Sequence, residues 1–199
     1  LFSSNSHYIR GVVPVNVYGW IDTEFKRSDT YRNLLAEYQY VQKYKKAWSA
    51  SPFPPTFVTV DSVVYQSGHI LLIRRGGQPG KGLWAIPGGF IDQFERLEDA
   101  SIRELREETR IKVPEKVLAG SIVASDVFDA PGRSTRGRTI THAFLYQLDD
   151  SKDLPRIAGA DDADRAEWVS LAELNDMASE MYEDHYHIVK HMLTKLKRI

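Results

Sequence analysis

The chain has 199 residues, 42% hydrophobic and 27% charged, which gives room for one well-packed domain plus an appendage, or two very small domains. Its formal net charge is −1, so no global field recruits nucleic acid or an anionic membrane, and no apolar run reaches the ~20 residues of a membrane span. Cysteine is absent, which excludes disulfide staples and thiolate zinc sites and fits a cytoplasmic location.

Residues 1–27 mix Ser, Asn and Gly with scattered aromatics and follow no regular period; the first residue is Leu1, which fits a fragment or a processed product. Ser28 or Asp29 caps a predicted helix over 30–48, where Leu34, Leu35, Tyr38, Val41 and Tyr44 recur at helical spacing. Ser51-Pro52-Phe53-Pro54-Pro55 then breaks regular structure. The boundary is placed there, giving an N-terminal extension over 1–50 and a main domain over 51–199. From Thr56 the texture is that of strands. Phe57, Val58, Val60, Val63 and Val64 lead to a turn at Ser67-Gly68 and on to Ile70-Leu71-Leu72-Ile73, a hairpin signal. Further strands are predicted at 83–86, 117–128, 139–148 and 165–169, and helices at 97–109 and 171–197. Mixed strands with a helix between them and helices at the end predict an α+β fold.

The 97–109 helix carries the chemistry. Glu104, Glu107 and Glu108 stand at i, i+3 and i+4 and project from one face, while Ile102 and Leu105 dock on the sheet. Glu104 and Glu108 are like charges one turn apart, a cost that a divalent cation reverses. Arg103 pairs with Glu107. Hard carboxylate oxygens select Mg²⁺ or Mn²⁺ over zinc. A solvated charged face has the same composition; Gly88-Gly89 and Glu95 at their spacing turn the balance toward a metal site.

Residues 89–111 resemble the Nudix box, G-x5-E-x7-R-E-U-x-E-E-x-G-U with U a bulky aliphatic, at Gly89, Glu95, Arg103, Glu104, Leu105, Glu107, Glu108 and Ile111. Six identities at roughly 1 in 20 each make a chance match on the order of 10⁻⁸ per window. One position departs: Arg110 stands where the family has glycine, just past the helix, where positive φ costs a non-glycine residue about 1 kcal/mol. The resemblance implies a Nudix-type α/β/α sandwich with a mixed sheet, and a metal-dependent hydrolase of diphosphates linked to a nucleoside. It implies Glu104, Glu107 and Glu108 as metal ligands, with Glu107 and Glu108 sharing the deprotonation of water. Glu95 would support an outer ion, and the Gly88 carbonyl would be a further ligand.

A second cluster, Phe128-Asp129-Ala130-Pro131-Gly132-Arg133-Ser134-Thr135-Arg136-Gly137-Arg138, holds three arginines within six residues. They suit bidentate phosphate or carboxylate binding, and Phe128 suits stacking on a base; a solvated basic loop has the same make-up. With Pro87-Gly88-Gly89-Phe90, this segment resembles one branch of the family, the ADP-ribose pyrophosphatase domain that follows an NMN adenylyltransferase domain in bacterial NAD-synthesis proteins. The similarity runs from about Tyr31 to the C-terminus, including Pro54–Val60 and Glu183-Asp184-His185. It implies ADP-ribose and water giving AMP and ribose 5-phosphate, with Arg75, Arg133 and Arg138 holding the diphosphate.

Ser3-Ser4-Asn5-Ser6-His7-Tyr8-Ile9-Arg10 resembles the phosphate-binding end of nucleotidyltransferases, so residues 1–30 read as the tail of an adenylyltransferase domain. Lacking that domain's His and Gly elements, this chain is not expected to make NAD by itself. The Nudix resemblance also implies a catalytic base from outside the box, for which Glu183 is the candidate and Glu167 beside Trp168 a rival that the sequence does not separate from it. His185, His187 and His191 read as surface or packing residues. The expected partner is a small nucleotide, without nucleic acid or membrane; a homo-oligomer is compatible with the sequence. The alternatives are another nucleoside diphosphate derivative as substrate, or a domain that senses ADP-ribose without turning it over.

Overall fold

A computed structural model describes residues 24–151, 153–161 and 163–196. The phosphate-binding motif expected at residues 3–10 lies outside the described residues. The chain divides into two units, Leu1–Lys43 and Tyr44–Ile199. Helix α1, Asp29–Ala47, follows a 3₁₀ turn at Phe25–Arg27. Ser28 caps it, accepting the Tyr31 N–H at 3.2 Å on its hydroxyl. Of the predicted apolar stripe only Val41 is buried; Leu34 and Tyr38 stay exposed.

In the second unit, strands β1 (Thr56–Gln66) and β2 (His69–Arg75) form the expected hairpin. Ser67 and Gly68 both have positive φ, 45° and 78°, the twist that suits a two-residue hairpin turn. Strands β3 (Trp84–Ala85) and β7 (Ala163–Ser170) pair with β2, and β4 (Gly88–Phe90) pairs antiparallel with β1. β6 (Arg138–Gln147) runs parallel to β1 along its length and pairs antiparallel with β5 (Ile122–Phe128). Among the described residues this makes one mixed sheet of seven strands, ordered β3-β2-β1-β6-β5 with β4 beside β1 and β7 beside β2.

Side chains alternate across a strand, so each strand feeds two cores. Val60, Val64, Leu71, Phe144 and Tyr146 face helices α2 (Leu97–Thr109) and α3 (Glu115–Gly120), meeting Ala100, Ile102, Leu105 and Leu118. Val63, Ile70, Leu72, Ala143 and Leu145 face the other way, toward Leu174 of α4 (Leu171–Asp176) and Ile188, Val189 and Met192 of α5 (His185–Leu193). At about 1.5–3 kcal/mol for each large aliphatic buried, these two faces hold the sheet between its helical layers. The expected α/β/α sandwich is the observed one. No described helix is long and apolar enough to cross a membrane.

Two predicted elements differ. The strand expected over 117–128 begins only at Ile122, because Pro114 starts a helical turn and its carbonyl takes the N–H groups of Val117 and Leu118. The helix expected over 171–197 is broken. α4 opens on a reciprocal cap between Ser170 and Glu173 and ends at Met177. The chain then passes the end of β3, where the Tyr182 N–H donates to the Trp84 carbonyl at 2.8 Å, and Glu183 takes φ 45° before α5 starts. Burial of Met181 and Tyr182 outweighs helix propensity there.

Candidate active site

Helix α2 is docked through Ala100, Ile102 and Leu105, which turns its carboxylates toward β4. A buried hydroxyl chain pins the same helix: Ser101 Oγ lies 2.8 Å from Ser62 Oγ and 2.8 Å from the Tyr146 hydroxyl. Burial pushes the Tyr146 hydroxyl up to about 12, so it stays protonated. Strand β4 closes on the helix because its first two residues are glycine. A Cβ at Gly88 would lie 2.2 Å from the Val60 carbonyl, and one at Gly89 would lie 2.6 Å from the Glu104 carboxylate. The Gly88 N–H donates to Glu108 Oε2 at 2.9 Å.

Arg103 organises the acids. Its Nε and Nη2 hold both oxygens of Glu95 at 2.9 Å, its Nη1 reaches Glu104 at 2.9 Å and Glu107 at 3.0 Å, and Nη2 also donates to the Phe90 carbonyl at 3.2 Å. The bond to Arg103 lowers the Glu95 pKa. Glu104 goes the other way: burial raises its pKa, and the Arg103 contact offsets this only in part. A buried carboxylate that resists ionisation is stabilised by a closer cation.

Glu104 and Glu107, with Glu108, line a cleft of about 340 Å³ that Glu95 does not reach. Arg75, Arg136, Tyr182, Glu183 and His185 line the same cleft. Arg75 donates from Nε to the Pro79 carbonyl at 2.9 Å, and its guanidinium lies 4.4 Å from the Tyr182 ring centroid. The Arg136 guanidinium lies 4.9 Å from the Phe90 centroid. Glu183 Oε1 accepts the Thr135 N–H at 2.9 Å. His185 is buried, which lowers its pKa, and its Nδ1 accepts the Ile86 N–H at 3.2 Å. Asp61, buried on β1, also lines the cleft and accepts the Thr141 hydroxyl at 2.6 Å.

Of the residues singled out from sequence, Gly88, Arg103, Glu104, Glu107, Glu108, Arg75, Arg133 and Glu183 line this cleft. Arg133 is bound bidentate to Asp184 at 2.9 and 2.8 Å, its side chain only 4% exposed. Glu95 stands behind Arg103. Phe128 and Arg138 are not among the cleft residues: Phe128 packs edge-on to His191 at 5.4 Å, and Arg138 bonds to Asp129 and lines a groove with Trp48 and Phe57. Glu167 pairs with Arg165 in another groove, beside Trp84 and Trp168. Sequence reasoning left Asp61, Asp161, Tyr182 and His185 without a site role and did not single out Arg136 within its loop. The one available signal was Asp61, a lone carboxylate inside an otherwise uncharged strand.

A family model described as a NUDIX domain matches residues 55–192. The chain belongs to the Nudix family. Over 133 residues it is 35% identical to an ADP-ribose pyrophosphatase of Methanocaldococcus jannaschii, covering 67% of this chain and 70% of that protein. Its structure resembles a bifunctional NMN adenylyltransferase/ADP ribose pyrophosphatase of Francisella tularensis, complexed with AMP and a manganese ion. The TM-score is 0.85 and the identity 44%, over 89% of this chain and 52% of that one. The Nudix chain therefore spans about half of the Francisella protein. It is also 26% identical over 170 residues to the ADPR responsive transcriptional repressor NtrR of Acinetobacter baylyi, covering 82% of this chain and 62% of the repressor.

Nudix hydrolases generally use divalent metals, and the donor chemistry here suits a hard one. Glu104, Glu107 and Glu108 bring carboxylate oxygens to a single cleft that Gly88 also lines. Among the described residues no three acidic or imidazole groups are drawn to metal-ligand spacing. Arg103 Nη1 bridges Glu104 and Glu107, so positive charge already bridges that pair.

Proposed function

We propose that this Nudix hydrolase cleaves the diphosphate bond of ADP-ribose with water, giving AMP and ribose 5-phosphate, and that it serves NAD metabolism in the cytoplasm. The observation that carries this reading is a cleft lined by both carboxylates and guanidinium groups, Glu104, Glu107 and Glu108 together with Arg75 and Arg136. A diphosphate would satisfy both, its charge met by a cation at the acids and by the guanidinium groups. The similarity to ADP-ribose pyrophosphatases from two organisms supports ADP-ribose over other diphosphates.

Glu104, Glu107, Glu108 and the Gly88 carbonyl would hold Mg²⁺, which neutralises phosphoryl charge and makes bound water more acidic. Arg103 fixes the carboxylates, with Glu95 as its anchor. Glu183, oriented by Thr135 and held at the cleft edge, takes the proton of the attacking water, and Glu107 and Glu108 share that work. Arg75 and Arg133 line the phosphate side. Arg138 and Phe128, which lie outside the cleft, are assigned no part in it. Residues 51–199 constitute the Nudix module, and residues 1–50 an extension that ends a nucleotidyltransferase domain. Similarity to the Francisella protein over 89% of the chain, more than the Nudix match alone, supports that division.

The test is a panel of ADP-ribose, NADH, a nucleoside diphosphate sugar and an oxidised nucleoside triphosphate with Mg²⁺. The expected outcome is the highest kcat/KM on ADP-ribose. A tenfold preference for another substrate would replace the assignment. ADP-ribose binding without release of AMP would move the chain to a sensing role like that of its repressor relative.

A further inference from the structure

Two buried polar atoms without a hydrogen-bond partner among the described residues, Tyr182 OH and Arg136 Nε, belong to residues that line this cleft. The two other such atoms, Gln66 Oε1 and Gln78 Oε1, belong to residues outside it. Buried polar groups are nearly always paired, and an unpaired one costs the folded protein stability. Two donors left unpaired in one cleft point to an acceptor that arrives with a ligand.

The cleft is built to hold the Tyr182 hydroxyl still without using it. Tyr182 is 3% exposed. Its ring is so close to Gly80 that a Cβ there would come within 2.3 Å, and the Arg75 guanidinium lies 4.4 Å from its centroid. His185 meets it edge-on at 5.3 Å, and its backbone is tied to Trp84. The neighbouring Glu183 carboxylate accepts from the Thr135 N–H and hydroxyl; it lies near enough to the Tyr182 hydroxyl to raise its pKa further beyond the effect of burial, but makes no hydrogen bond to it of acceptable geometry. Arg136 is fixed in turn over Phe90.

We propose that the Tyr182 hydroxyl and the Arg136 Nε–H are substrate-binding donors that take non-bridging phosphoryl oxygens in the cleft that the α2 carboxylates also line. Burial and the Glu183 carboxylate raise the pKa of the Tyr182 hydroxyl while Arg136 and Arg75 lower it, and two guanidinium groups this close to the donors favour an anionic acceptor over a neutral sugar hydroxyl. Acceptor-only phosphoryl oxygens match the two donors. The inference rests on the diphosphate reading of the cleft and adds a residue type, tyrosine, that the box does not contain.

The experiment is Tyr182→Phe, which removes one oxygen and keeps the ring, with Arg136→Lys, which keeps the charge and removes Nε. Wild-type turnover of ADP-ribose is measured first; its absence strikes down the proposed reaction and leaves the donors to be judged by calorimetric binding of inorganic diphosphate with Mg²⁺. For Tyr182→Phe the expected result is KM, or the diphosphate Kd, raised about tenfold with Tm unchanged or higher, because an unpaired buried hydroxyl has been deleted. Arg136→Lys weakens binding in the same direction. Unchanged KM and Kd in both variants overturn the proposal. So does a Tm fall of several degrees in Tyr182→Phe, which would make the hydroxyl a structural group.

Discussion

Helix α2 and the loop between β5 and β6 both bring charge to the cleft, yet they reach it by different routes. On α2 the helical repeat sets where Glu104, Glu107 and Glu108 point, and Arg103 finds its carboxylate partners within eight residues of itself. In the loop and at the first residue of β6, three arginines close in sequence go three ways. Arg133 turns to Asp184, fifty-one residues away; Arg136 lies over Phe90; Arg138 bonds back to Asp129. Spacing on a regular element predicts direction. In a loop it predicts composition only, because distant contacts choose where each side chain goes.

The largest test of this contrast concerns the base. Glu183 lines the cleft and Glu167 does not. Glu183→Gln is expected to lower kcat on ADP-ribose about 100-fold or more, and Glu167→Gln to leave it within about twofold. Equal losses would dissolve the distinction. The loop arginines come next. Arg133→Met leaves the Asp184 charge in a mostly buried place without its partner and is expected to cost about 2–3 kcal/mol, with a Tm fall of several degrees. Arg138→Met, at an exposed pair, is expected to cost less than about 0.5 kcal/mol. Thermal melts of the two variants side by side decide it.

A smaller effect belongs to His185. Burial depresses its pKa, so the unfolded chain binds a proton that the folded chain refuses. The stability it contributes is full above about pH 6.5 and is lost as pH falls from there through the folded value. Protonation would also turn Nδ1 from acceptor to donor against the Ile86 N–H. Melts from pH 7.5 to 5.5 should fall less steeply in His185→Asn; parallel curves would contradict this. The smallest effect is at Arg110, which caps α2 at φ 46°. Relief of left-handed strain of about 1 kcal/mol, less the added freedom of an unfolded glycine, predicts that Arg110→Gly gains a few tenths of a kcal/mol. A lower Tm would defeat it.

What could be read from sequence follows the same division. The hairpin, α2 and the strands feeding both cores were legible because their periods are local and strong. The break in the C-terminal helix was not, since it depends on Met181 and Tyr182 being buried beside Trp84. At the site, the box and Gly88-Gly89 were legible. Tyr182, His185 and Asp61 were not assigned, because their role depends on which strand ends meet. Glu183 was named only through resemblance, and its left-handed backbone appears only in the folded chain.

The most direct test is purified chain with ADP-ribose and Mg²⁺, products separated by chromatography, beside Glu107→Gln and Glu108→Gln. Both variants are near-isosteric, and in Glu108→Gln the new amide oxygen can still accept the Gly88 N–H bond. The prediction is AMP from the wild type and a loss on the order of 10²–10³-fold in each variant. Wild-type rates in both variants would contradict the claim that the α2 carboxylates carry the reaction.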